Sequence, residues 1–310
     1  FGDLNPLISS EMTSDSRILM NRDVVDRVET VAPFLELDAD PYPAETPEQG
    51  VPYKYIWAGE PFKQETWVNA AEVHPGAVEV VHHASVYVVP DGVKVKLVND
   101  ERPSGGLSDL FSPINDLPHL VSFVPGDNAF VHRKGQAIRI PKGARLLFEM
   151  HYTPTGKRAA DRTKVGLKFA AKPPRHEVIS TAAINYWFSI PPGDDNHQVT
   201  AKTNRFKRDT VLLAMNPHMH YRGKAFKYEL VEQSGEKSLL LNVANYNFEW
   251  QSTYWLTDPV RLPKGSYIRC TATFDNSTDN PFNPDPTVRV TWGEQTWQEM
   301  MLGSIEIYEE

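Results

Sequence analysis

The stretch TVLLAMNPHMHYRGKAFKYEL, residues 210–230, decides how this chain is read. Thr210 to Met215 is apolar and β-branched, as a buried strand requires, and Lys224 to Leu230 alternates polar with apolar side chains. Between the two runs, His218 and His220 stand two residues apart. If they continue the strand, period two sets both imidazoles on one face, a platform for a divalent metal that lacks only its remaining ligands. The plainer alternative is a pair of surface or core histidines.

Outward from this stretch the same pattern recurs. Strand candidates are Tyr53–Ala58, Ala77–Val89, Val93–Val98, Ala144–Tyr152 and Val165–Ala170. Turn residues separate them at Pro90-Asp91-Gly92, Pro125-Gly126-Asp127, Pro141-Lys142-Gly143 and Pro263-Lys264-Gly265. The expected class is mostly β, with two antiparallel, jelly-roll-like β-sandwiches over residues 51–174 and 175–310. Lys172-Pro173-Pro174 reads as the joint, and only a weak short helix near Gly106–Phe111 interrupts the strands. A polar linker, AETPEQG at 44–50, precedes them. Residues 1–43 read as a short helical segment: Ser14-Asp15-Ser16 offers an N-cap, and apolar residues from Ile18 to Val31 fall on helical spacing, ending near Ala32-Pro33.

Composition narrows the function classes. Forty acidic against 32 basic side chains give a net charge of −8, which leaves no basic face for a nucleic-acid partner. No apolar run is long enough to span a bilayer. Aromatic residues and 25 prolines suit strands joined by many turns. With Phe1 in place of an initiator Met and no leader pattern, the sequence reads as a processed form or a fragment. Cys270 is the single cysteine, so an internal disulfide and a cysteine zinc site are both excluded, and the ten histidines become the main metal-capable groups.

Two more histidine motifs stand out. VVHHASVYV (80–88) sets His82 and His83 side by side in a strongly β-forming run. A regular strand would bury one of them, and a local distortion would turn both toward a shared ligand. His151 sits in a third apolar strand, FEMHYTP (148–154). Met300 and Met301 lie near the end of Trp292–Ile307; a thioether favours Cu(I), although a strand Met is more commonly core filling. The two alternate in direction, so only one can reach a metal.

VVHHASVYV, FEMHYTP, MNPHMHYRGK and WGEQTWQEMM, in this order, resemble the copper type II, ascorbate-dependent monooxygenases, the superfamily of peptidylglycine α-hydroxylating and dopamine β-monooxygenases, in its bacterial branch. The resemblance runs from about Val51 to Tyr308. It implies that His82, His83 and His151 bind an electron-donating copper, and that His218, His220 and Met300 bind an oxygen-activating one, Met300 being preferred because it follows Glu299. It further implies two Cu(I)/Cu(II) ions, ascorbate or a cytochrome-type electron donor, a small organic substrate hydroxylated at C–H, and an extracytoplasmic setting, periplasmic or secreted. Asn216 stands where the peptide-hydroxylating members hold a substrate carboxylate with Arg, and Leu302 and Ser304 replace their anchoring Asn and Tyr, so a glycine-extended peptide is not expected. Met301 stands at a cysteine position of the animal enzymes.

Separately, FGDLNPLISSEMTSDSRILMNRDVVDRVETVAPFLELDADPYP (1–43) resembles part of an uncharacterised family of large bacterial integral membrane proteins, and carries no function over. Two rival functions stay open. One is a non-catalytic copper-binding β-sandwich for storage or delivery; the other is a mononuclear zinc hydrolase built on His218 and His220, disfavoured by the lack of a third His or carboxylate nearby. His74 reads as a turn residue, and His119, His132, His176 and His197 as solvated loop residues. Asp109, Asp116 and Asp127 show no acid–base spacing. Arg222 and Lys224 either orient an anionic substrate or solvate a strand end. Asn276-Ser277-Thr278 matches a glycosylation acceptor but reads as an ordinary loop.

Overall fold

The computed structural model describes residues 27–31, 35–37, 53–97, 100, 117–124, 129–153 and 159–310, and among these the secondary structure is strand without helix. The chain divides into two compact units, meeting between Ile179 and Ser180.

The first unit contains β1 (Arg27–Val31), β2 (Leu35–Leu37), β3 (Lys54–Ala58), β4 (Thr66–His74), β5 (Val81–Val89) and β6 (His119–Phe123). It continues through β7 (Phe130–Val131), β8 (Gln136–Ile140), β9 (Arg145–Tyr152), β10 (Ala159–Asp161), β11 (Lys164–Phe169) and β12 (His176–Glu177). One sheet runs β1-β11-β4-β8-β12, with β7 also on β4; a second runs β3-β9-β5-β6; β2 pairs with β10. Pairing is antiparallel except where β12 joins β8. The two sheets meet through β4 and β6.

Alternation explains what each face of the second sheet does. Ala84, Val86 and Val88 of β5 and Leu146, Phe148 and Met150 of β9 are fully buried on one face. The opposite face carries His83, Ser85, Tyr87 and Val89 beside His151, Glu149 and Leu147. Tyr53, Tyr55, Val89, Leu117 and Leu147 cover part of that second face with a smaller apolar cluster.

The second unit is built from β13 (Ile179–Ile184), β14 (Ser189–Ile190), β15 (His197–Lys202), β16 (Thr210–His218) and β17 (Gly223–Val231). β18 (Lys237–Val243), β19 (Tyr254–Leu262), β20 (Tyr267–Phe274), β21 (Val290–Thr291) and β22 (Leu302–Glu309) complete it. Its sheets run β13-β22-β16-β19 and β15-β20-β17-β18, with β14-β21 as a small ribbon. β20 reads YIRCTATF and buries every second residue, Ile268, Cys270, Ala272 and Phe274. Those side chains meet Phe226 and Tyr228 of β17 and Leu212, Met215, Ile305 and Ile307 of the facing sheet in one core. The sandwich architecture read from the sequence is therefore present, with Cys270 free and buried in its core.

Several local expectations need correction. Arg27–Val31, taken as the end of a helix, is a strand on β11, and the rest of that helix lies outside the described residues. Residues 93–97 are not a strand; Val95 and Leu97 instead pack on the Tyr53–Tyr55 cluster. The turn at Pro125-Gly126-Asp127, the helix near 106–111, Asp109, Asp116 and the linker 44–50 also lie outside the described residues. Pro141-Lys142-Gly143 is the expected turn, with Gly143 at a φ of 82°, where other side chains are strained.

Candidate metal centre

The first cluster is made by a register fault. β5 and β9 pair Val81 with Tyr152 and His83 with His151, so His82 is an extra residue between them. This is the distortion anticipated from two adjacent histidines in an apolar strand, and it turns both rings toward His151. His83 Nδ1 lies 3.1 Å from His82 Nδ1 and 3.3 Å from His151 Nδ1. One ligand atom from each of the three falls within 4.8 Å of the others. Three nitrogens bound tetrahedrally at about 2.0–2.1 Å stand about 3.3 Å apart, so the donor set fits a single transition-metal ion. His83 and His151 are buried, 7% and 4% exposed, and His82 is half-buried.

Tyr53 frames this cluster and was not singled out by sequence. Its hydroxyl lies 3.2 Å from His83 Nε2, and its ring stacks on His151 at 4.6 Å and 2°. With Nδ1 given to a metal, His83 Nε2–H donates to that hydroxyl, which fixes the tautomer. Tyr53 directly precedes β3, and the pairing of Lys54 with Met150 brings it alongside His151; only the strand pairing reveals this.

The second set sits where β16 runs out. β16 pairs its last residue, His218, with Leu302, the first residue of β22; His220 lies two residues past the one strand and Met300 two residues before the other. Met219 and Met301 are in the core, His220 is fully buried, and His218 and Met300 are half-buried. Met301 takes the core role and Met300 is half-buried, and both precede β22 instead of lying in a strand.

Both imidazoles are held through Nδ1. His218 Nδ1 donates to Gln251 Oε1 at 2.6 Å, and His220 Nδ1 donates to the Gln298 carbonyl at 3.3 Å. Gln251 Nε2 donates to the Phe248 carbonyl at 2.9 Å, which fixes its amide so that Oε1 faces His218. An Nδ1–H bound to an oxygen leaves Nε2 as the lone-pair nitrogen, the state a metal ligand needs. Burial lowers the His218 pKa, with the Gln251 bond opposing it, and favours that neutral ring. The rings stand 5.2 Å apart at 88°.

A buried carboxylate organises the turn that follows. Glu299 accepts the backbone N–H of His220 at 2.8 Å and of Arg222 at 2.6 Å. Burial pushes its carboxyl up to about 8, while those amides and the Arg222 charge pull the other way. Arg222 is itself buried and donates to Asn276 Oδ1, the Trp297 carbonyl and the Asp285 carbonyl. It therefore neither orients a substrate nor solvates a strand end; it clamps the loop that leads to Glu299. Lys224 donates to the Asp195 carbonyl at 2.8 Å. Asn276 is fully buried and bonded to Pro191, Val288, Arg222 and Asn283, which rules it out as a glycosylation acceptor.

His119, His132, His176 and His197 were read as solvated, and the first two are not. His132 is buried against Phe130, and burial pushes its pKa down to about 4. His119 opens β6, meets Ser122 Oγ at 2.7 Å, and is pushed down to about 4 by burial. His119 sits in a strand behind Pro118, and His132 follows β7 beside Arg133 and Lys134, so both read as loop residues. His197 bonds Asp194 at 2.9 Å, and exposed His74, read as a turn residue, is instead the last residue of β4, paired with Lys164 and bonded to buried Glu72.

The family whose profile matches is described as Uncharacterised protein family (UPF0182), over residues 1–60. A UPF0182 protein of Clostridium novyi (strain NT) is 61% identical over 41 residues, which are 13% of this chain and 4% of that protein. One of Bradyrhizobium diazoefficiens is 57% identical over 42 residues, 14% of this chain and 4% of that protein. The chain thus matches only a small fraction of the length of these curated relatives. Among solved structures, the major capsid protein P2 of bacteriophage PM2 aligns over 91% of this chain and 97% of its own, at 10% identity and a TM-score of 0.33, too low to carry an argument.

These matches correct the expected family. They lie in the N-terminal segment and bring the uncharacterised family, not the copper type II monooxygenases. The four histidine and methionine motifs are short, so their order alone does not establish descent. The likeness read for residues 1–43 meets the match only loosely: the match continues to residue 60, and its description says nothing of a membrane.

Proposed function

We propose that this protein holds two copper ions and uses them to hydroxylate a C–H bond of an organic substrate with dioxygen and an external reductant such as ascorbate. The observation that carries the reading is the pair of unlike donor sets. One is three Nδ1 atoms gathered at a bulge; the other is two imidazoles with Nδ1 tied to carbonyl oxygens, with Met300 two residues before the strand that pairs with His218. Imidazole serves both copper oxidation states and thioether favours Cu(I), so the second set suits an ion that must be reduced before it meets dioxygen.

Copper there would supply one-electron redox chemistry and dioxygen activation. The chain supplies the rest. Gln251 and the Gln298 carbonyl hold the two rings in the ligating tautomer. Glu299 fixes the turn that spaces them, and Phe248 packs edge-on to His220 at 6.1 Å and keeps water from that ring. In the balance, one oxygen atom enters the C–H bond and the other leaves as water, with two electrons and two protons drawn from the reductant.

The burial of His83 and His151 favours one other reading, a protein that stores or delivers copper without turning over. Copper stoichiometry with X-ray absorption of the reduced protein, wild type beside Met300→Ala and His218→Ala, tests both. Two coppers, a Cu–S path lost in Met300→Ala, and reductant-driven oxygen uptake lost in His218→Ala are expected. Two coppers without oxygen uptake would leave the storage reading; one zinc and no copper would overturn both.

A further inference from the structure

The three imidazoles of the first cluster arrive on two segments, and one buried carboxylate ties those segments together. Asp161 is 2% exposed and accepts four hydrogen bonds. Oδ1 takes the backbone N–H of Gly76 and of Ala77, both at 2.9 Å. Oδ2 takes the hydroxyls of Tyr152 at 2.9 Å and Thr163 at 2.7 Å. Tyr152 is the neighbour of His151, and Gly76-Ala77 begins the turn that delivers β5 with His82 and His83. That turn continues the tie: Val81 N–H donates to the Ala77 carbonyl at 3.0 Å, and Thr153 N–H to the Val80 carbonyl at 2.8 Å.

The turn is also seated tightly on the connection that follows Asp161. A Cβ on Gly76 would stand 2.5 Å from the Arg162 nitrogen, so only glycine allows the approach. On its other side Asp161 pairs with Leu35 of β2, and β1 continues along β11 from Val31 opposite Lys164 to Arg27 opposite Lys168. The backbone from Ala159 to Lys168 is thus flanked by a ribbon from the N-terminal segment, the part of the chain that matches the uncharacterised family.

We propose that Asp161 is a positioning residue for the His82–His83–His151 cluster, and that β1 and β2 are the clamp that holds its backbone in place. The proposal rests on the metal reading of that cluster. Site geometry depends on groups behind the ligands, and a carboxylate with every acceptor site used leaves its partners little freedom. On this view the N-terminal segment is a working part of the first unit rather than an appendage.

Three full-length variants test it: Asp161→Asn and Tyr152→Phe, which alter the latch, and Glu36→Pro, which removes a donor from β2. Copper affinity is measured by chelator competition, copper spectra by electron paramagnetic resonance, and hydrogen–deuterium exchange across residues 76–83. Each variant is expected to bind first-site copper about 10- to 100-fold more weakly. The copper spectrum should change, exchange at 76–83 should quicken, and the copper that depends on Met300 should be unaffected. Unchanged first-site affinity and exchange, or equal weakening of both coppers, would overturn the proposal. His83→Ala separates the premises: if it binds as much copper as the wild type, the metal reading fails, and exchange at 76–83 alone decides whether Asp161 positions the histidine segments.

Discussion

Replacing Gln251 by Leu keeps most of the side-chain volume and removes the acceptor that holds His218. The lost bond is short, 2.6 Å from Nδ1 to Oε1, and Gln251 is 3% exposed, so water does not simply take its place. Leaving a buried donor without its acceptor costs about 1–3 kcal/mol. The penalty falls on the metal-ready tautomer: without Oε1, the proton is no longer directed to Nδ1, and Nε2 is no longer reserved as the lone-pair nitrogen. The same 1–3 kcal/mol corresponds to copper binding weakened by roughly 5- to 150-fold at this site. Chelator competition on the reduced protein, followed through the sulfur-dependent X-ray absorption path, measures it. Gln251→Glu keeps an acceptor and should recover most of the affinity. Wild-type affinity in Gln251→Leu would refute the claim that this bond sets the ligand tautomer.

Three other outcomes follow from the same geometry. Met301→Ala should destabilise the second unit by about 2–5 kcal/mol, because its side chain is fully buried in the core. Met300→Ala should leave the denaturation midpoint nearly unchanged while removing the sulfur ligand; the reverse pattern would exchange their roles. His132 should make the first unit acid-labile. Its folded pKa is pushed down to about 4 by burial, so the unfolded chain takes up the proton first. Its contribution is fully present above the unfolded value of about 6.5 and lost as pH falls through about 4, roughly 3 kcal/mol in all. Urea midpoints at pH 7.5, 5 and 4 should converge for His132→Leu relative to wild type; parallel curves would count against the assignment.

The fold was legible because the strands announce themselves twice, by β-branched runs and by turn residues between them. β20 and β22 alternate so cleanly that their core faces can be written down from the letters. The histidine bulge was legible too, since a buried imidazole beside another in an apolar strand has few alternatives. What the letters conceal is contact between residues far apart in the chain. Gln251 reaches His218 from a loop 33 positions away, and Asp161 binds Gly76 across 85. Arg222 misled for a related reason: a charged residue after a strand reads as solvated unless its three distant acceptors are known. The N-terminal strand was missed because Arg27–Val31 takes its conformation from the edge of β11, and its helical spacing is overruled by that pairing.

Glu299 grips the turn at His220 and Arg222 by their amides, and every residue but proline offers the same amide. Glu299's hold on the turn is therefore independent of which side chains stand at 220 and 222, and the Arg222 clamp adds to it. Met219 is committed to the core, whereas Tyr221 packs on Phe248. Variation at Tyr221 then retunes what surrounds the imidazoles without relocating them, whereas one change at 299 would relax the whole arrangement at once. A lineage drifting under selection for new chemistry would find freedom on the displayed side chains and almost none at the carboxylate beneath them.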